Sequence, residues 1–114
     1  MLYLVATPIG NLKDISLRAV EVLKSVALIA CEDTRHARIL LSHYDVHVPL
    51  LSYFDHNERM RLEPLLKRLK NGEDIALISD AGMPALQDPG YFLIQGAIRE
   101  GIPFTVIPGS NAAV

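Results

Sequence analysis

Five short apolar runs alternate with four segments of helical period along this chain, and nothing between them reads as a β-hairpin. The runs are Leu2–Ala6, Val26–Cys31, Leu50–Phe54, Asp74–Ser79 and Phe104–Ile107. Several are continuously apolar, as strands covered on both faces require. The helical segments are Ser16–Ser25, Ala37–Tyr44, Asn57–Lys70 and Tyr91–Arg99. Leu17, Val20 and Leu23 fall at helical spacing in the first. Met60, Leu62, Leu65, Leu66 and Leu69 are expected to form the apolar face of the third. Asn71-Gly72 and Glu100-Gly101 supply the left-handed stops that follow helices. Alternation of this kind, joined by right-handed crossovers, predicts an α/β domain: a mostly parallel five-stranded sheet with helices on both faces.

A parallel sheet delivers the carboxyl ends of all its strands to one edge, where ligands of such folds are held. The loops expected there are unusually decorated. Ser79-Asp80 opens a segment to Gly90 containing two aspartates, two prolines and two glycines, a composition suited to shaping a pocket. Asp80 follows directly on a core strand, where a carboxylate can recognise a ribose hydroxyl or an ammonium group. Asp88, before Pro89-Gly90, reads as a helix cap.

Glu32-Asp33-Thr34-Arg35-His36 follows the second strand and is the densest polar cluster. Capping of the next helix explains Glu32 and Asp33 as readily as chemistry does. In a catalytic reading, either carboxylate orients or deprotonates a substrate hydroxyl, and Arg35 fixes a phosphate or carboxylate. Cys31 and His36 fit no usual zinc spacing, and a cysteine ending a buried strand is commonly inert. Asp55 or Asn57 reads as a helix cap, and His56 as a lone loop histidine. The basic residues Arg59, Arg61, Lys67, Arg68 and Lys70 read as a solvated helix face in preference to an RNA contact.

Composition excludes several classes. With 114 residues, half of them hydrophobic, the chain suits one domain. A net charge of −2 argues against gripping nucleic acid unaided. The single cysteine, Cys31, rules out an internal disulfide framework and suits a reducing, cytoplasmic setting. No apolar run approaches the ~20 residues of a membrane span. Thr7–Asn11 lacks both the dinucleotide fingerprint and the lysine of a phosphate loop. Ser110 reads as the cap of a helix starting Asn-Ala-Ala-Val, so a continuation beyond residue 114 is expected.

Four motifs appear in order: Thr7-Pro-Ile-Gly-Asn-Leu, Cys31-Glu-Asp-Thr-Arg, Ser79-Asp-Ala-Gly-Met-Pro-Ala-Leu-Gln-Asp-Pro-Gly and Pro108-Gly. Together they resemble the tetrapyrrole methylase superfamily of S-adenosylmethionine-dependent enzymes, over essentially the whole chain, and within it the branch that modifies ribosomal RNA. The first loop departs from the Gly-rich form of porphyrin-modifying members, which favours that branch. The resemblance implies an amino-terminal domain spanning residues 1–114, with the cofactor in a cleft completed by a second domain absent from this sequence. It also implies a homodimer and 2′-O-methylation of a cytidine ribose in 16S rRNA. Pro8, Asp80, Ala81, Met83, Ser110 and Asn111 are then expected to contact S-adenosylmethionine, with Glu32, Asp33 and Arg35 as catalytic candidates. Methylation of a tetrapyrrole or other small molecule, and a non-catalytic α/β binding module, are the competing readings.

Overall fold

The computed structural model describes residues 1–6, 15–54, 56–79 and 90–107. Strands β1 (Leu2–Ala6), β2 (Leu28–Cys31), β3 (Leu50–Ser52), β4 (Ile75–Ser79) and β5 (Phe104–Ile107) alternate with helices α1 (Leu17–Ser25), α2 (Thr34–His43), α3 (Glu58–Lys70) and α4 (Gly90–Arg99). The strands form one sheet in the order β3-β2-β4-β1-β5. All four pairings are parallel, so the expected mostly parallel sheet is wholly so.

Side-chain alternation sorts the core into two layers. Val5, Ile29, Cys31, Ala76, Ile78 and Ile107 point to one face, where Ala19, Val22 and Leu23 of α1 and Ala37, Leu40 and Leu41 of α2 cover them. Leu2, Leu4, Leu28, Ala30, Ile75 and Leu77 point to the other, against Leu65, Leu66 and Leu69 of α3 and Leu93 and Ala97 of α4. Gly96 lets α3 and α4 approach closely: a Cβ there would meet Leu66 Cδ1 at 2.8 Å.

Local rules explain where the elements differ from expectation. Leu17 of α1 is 76% exposed, and the buried stripe is Ala19-Val22-Leu23. That stripe keeps the 3, 4 spacing of one helix face, whereas Leu17-Val20-Leu23 drifts off it. Val26 belongs to the end of α1, its N–H donating to the Val22 carbonyl, so β2 starts later. The second helix begins three residues before Ala37, because Asp33 caps it. Met60 is 70% exposed and leaves the apolar face of α3 to Leu65, Leu66 and Leu69. Gly72 and Gly101 take φ of +92° and +70°, as stops after α3 and α4 require.

A strand-edge candidate active site

Parallel pairing aligns the strand ends: Ala6 lies opposite Ser79, Val5 opposite Ile107, and Cys31 opposite Ile78 and, on its other side, Ser52. Chains leaving this carboxyl edge do not all turn the same way. From β1 and β2 they pass to α1 and α2 on one face, and from β4 to α4 on the other. Because β4 lies between β2 and β1, its exit is a topological switch point, where diverging loops open a crevice.

The expected cofactor residues Pro8, Asp80, Ala81, Met83, Ser110 and Asn111 lie outside the described residues, as do Asp55 and Asp88. What is described brings their neighbours together. The strands that lead into those three loops end at Ala6, Ser79 and Ile107, side by side on β1, β4 and β5.

Glu32 and Asp33 stand exposed immediately after β2, on the same rim. Asp33 Oδ1 accepts from the backbone N–H groups of Arg35 (3.0 Å) and His36 (3.3 Å). Asp33 therefore serves as the cap of α2, satisfying two amides that the helix leaves without partners. Arg35 and His36 are exposed on the first turn of that helix. Cys31 is buried in the core, its thiol donating to the Leu51 carbonyl at 3.9 Å. Among the described residues, no group of three or more His, Cys, Asp or Glu side chains is arranged to hold a metal ion.

The turn from β3 into α3 departs from its expected role. Asn57 sits at the cap position of α3 without capping it. Its Oδ1 accepts from Phe54 N at 2.8 Å, and its Nδ2 donates to both the carbonyl and the hydroxyl of Ser52 at 3.2 Å. Only 8% exposed, this side chain turns the chain off the sheet just after Ser52 and shortens β3. His56 is exposed, edge-on to Phe54.

Beneath the same turn lie buried polar atoms, one of them on Arg61, which was expected on a solvated helix face. Tyr53 is 1% exposed, and its hydroxyl has no partner among the described residues. Burial, reinforced by the charge of Glu58, pushes its pKa up to about 12. Glu58 Oε2 and Arg61 Nε are buried and, among the described residues, unpartnered too. An apolar run entering a helix with Glu at its first position and Arg three residues on was the only signal available for them.

Comparison with known proteins agrees with this architecture. The family model for tetrapyrrole (corrin/porphyrin) methylases matches residues 1–114. A ribosomal RNA small subunit methyltransferase I from Halalkalibacterium halodurans is 54% identical over 113 residues, which are 99% of this chain and 39% of that protein. The protein of the same name from Mycoplasmopsis pulmonis is 52% identical over 111 residues, 97% of this chain and 50% of that protein. The chain thus spans half or less of the length of these relatives. Among solved structures, a cobalt precorrin-4 methyltransferase of cobalamin biosynthesis superposes with a TM-score of 0.77 at 18% identity, covering 95% of this chain and 45% of that one. A likeness so distant in sequence speaks for the fold alone. Strand order, the switch point and an end-to-end family match converge, and this chain belongs to the tetrapyrrole (corrin/porphyrin) methylases.

Proposed function

We propose that this chain forms the amino-terminal half of an S-adenosylmethionine-dependent methyltransferase acting on the 2′-hydroxyl of a cytidine ribose in 16S rRNA. The carrying observation is identity above 50%, over nearly the whole chain, to relatives named as ribosomal RNA small subunit methyltransferases. In this reading a second domain completes the cofactor cleft, two copies make a homodimer, and the small ribosomal subunit in the cytoplasm is the substrate. Among the described residues no helix is long and apolar enough to cross a membrane.

The described rim suits the cofactor. S-adenosylmethionine carries no phosphate, so a lysine cradle is unnecessary; its sulfonium and ammonium are cationic, and Glu32 and Asp33 line the edge with carboxylates. Ala6 and Cys31 end β1 and β2, the strands on either side of β4, with small side chains. Pro8, Asp80, Ala81, Met83, Ser110 and Asn111 are the residues assigned to hold the molecule. When bound, it supplies an already activated methyl group.

What remains for the protein is alignment of the ribose oxygen and removal of its proton. Alignment alone can lower the barrier by several kcal/mol. Asp33 Oδ1 caps α2, which gives Asp33 a structural role; we assign the role of base to Glu32 and that of a phosphate anchor to Arg35. Glu32→Gln in the full-length protein is expected to lower kcat for label transfer from S-adenosylmethionine to unmethylated small subunits about 10²-fold. Asp33→Ser, which keeps the cap, is expected to leave kcat within about threefold. Undiminished transfer by the Glu32 variant removes Glu32 from the mechanism; no transfer by the unmodified protein refutes the assigned activity.

A further inference from the structure

α3 holds five cationic side chains against two anionic ones, on a chain whose net charge is −2. Positive charge is therefore concentrated on one helix of an otherwise acidic domain. Two of the five are neutralised within the protein: Arg68 is clamped by Glu73 (Nη2 to Oε1, 2.8 Å), and Lys70 reaches Glu100 at 2.9 Å. Arg59, Arg61 and Lys67 enter no ion pair among the described residues. The anionic partners on the helix are themselves occupied or turned in. Glu63 faces Arg99 at 3.4 Å, and Glu58 has one carboxylate oxygen buried.

Beside this helix runs a groove of about 380 Å³, floored by Leu28, Leu51 and Leu65 and walled by Met60, Arg61 and Pro64. Two features make it more than a gap between side chains. Arg61 lines it, half-buried and outside the ion pairs of the described residues. Pro64, in the middle of α3, has no N–H, so the Met60 carbonyl loses its helical donor. Apolar walls beside a guanidinium outside any ion pair are what a splayed nucleobase stacks on. α3 starts where β3 ends, so its first turn, with Arg59 and Arg61, stands at the carboxyl edge that carries Glu32 and Asp33.

We infer that α3 and its groove bind a single-stranded segment of RNA, with Arg59, Arg61 and Lys67 on its phosphates and one unstacked base against Arg61 and Met60. The inference rests on the rRNA reading above and names the surface through which that substrate is held. It also explains how a net acidic domain serves an RNA enzyme: the cations are gathered on the helix that leads to the reacting edge.

The test uses the full-length protein carrying Arg59→Ala, Arg61→Ala and Lys67→Ala together, checked for an unchanged circular dichroism spectrum and thermal midpoint. The probe is a fluorescently labelled 12-nucleotide single-stranded RNA, with binding followed across a salt series. The variant is expected to bind roughly tenfold or more weakly, and the slope of log K against log salt to fall by about 2, three single-strand phosphate contacts at ~0.7 each. The KM for small subunits should rise by a similar factor at unchanged kcat, while Arg18→Ala on the opposite layer changes neither. Unaltered affinity and salt slope in the triple variant overturn the inference, as does a shift in sedimentation mass, which assigns the surface to a second copy instead. If the unmodified protein methylates small subunits and the triple variant keeps its KM, only this surface is wrong; if the unmodified protein methylates nothing, the activity itself is.

Discussion

Tyr53 is a phenol buried just past the end of β3, with no partner for its hydroxyl among the described residues. Its pKa rises from 10.0 to about 12 because the charged form is desolvated and faces Glu58. A group bound more tightly to its proton in the folded state contributes stability that is complete below the unfolded value. That contribution drains away as pH climbs from 10.0 toward about 12. Tyr53→Phe is therefore expected to flatten the loss of stability across this interval in denaturant titrations. At neutral pH the variant should be unharmed, or more stable by about 1 kcal/mol, since an unsatisfied hydroxyl is removed. An unchanged alkaline slope would show that Tyr53 is not the titrating group. Residue-level chemistry was only partly legible in the sequence. Asp33 as a cap followed from its place before a helix, but Asn57 bonding backwards to Ser52 and Phe54 depends on how the chain leaves the sheet. No local pattern encodes that.

At the level of elements, periodicity exposed the five strands and four helices of the described residues because each is either continuously apolar or amphipathic. On α1 it grouped the exposed Leu17 with Val20 and Leu23, which do pack on the core, and it put the exposed Met60 on the apolar face of α3. Spacings of three residues fit two adjacent faces of a helix almost equally, and only packing against the sheet decides between them. Strand order escaped the sequence altogether. A crossover that skips one strand, as those from β1 to β2 and from β4 to β5 do, reads the same as one to a neighbour. The α3–α4 seam rests on a similarly invisible fit. Gly96→Val drives two extra methyls and a Cβ toward Leu66, whose methyl carbons already stand 2.8 and 3.2 Å from a Cβ at that position. Leu66 is itself buried, so overpacking should cost about 1–3 kcal/mol in denaturant unfolding. A variant as stable as the parent would mean that α4 slides freely over α3.

For the whole molecule, the decisive fact is that all strands run one way while their exits diverge at β4. The loops richest in Pro, Gly and Asp stood out in the sequence as site candidates, and the topology sends the strands before them to one edge, although the loop residues themselves lie outside the described structure. The motifs carried the family; the fold sets the strands that precede three of them side by side. Amide hydrogen exchange of the full-length protein with and without S-adenosylhomocysteine is the most direct measurement of this claim. Protection concentrated at the carboxyl ends of β1, β4 and β5, around Ala6, Ser79 and Ile107, is the predicted result. Protection at the opposite ends, around Leu2, Ile75 and Phe104, or none at either end, would contradict it.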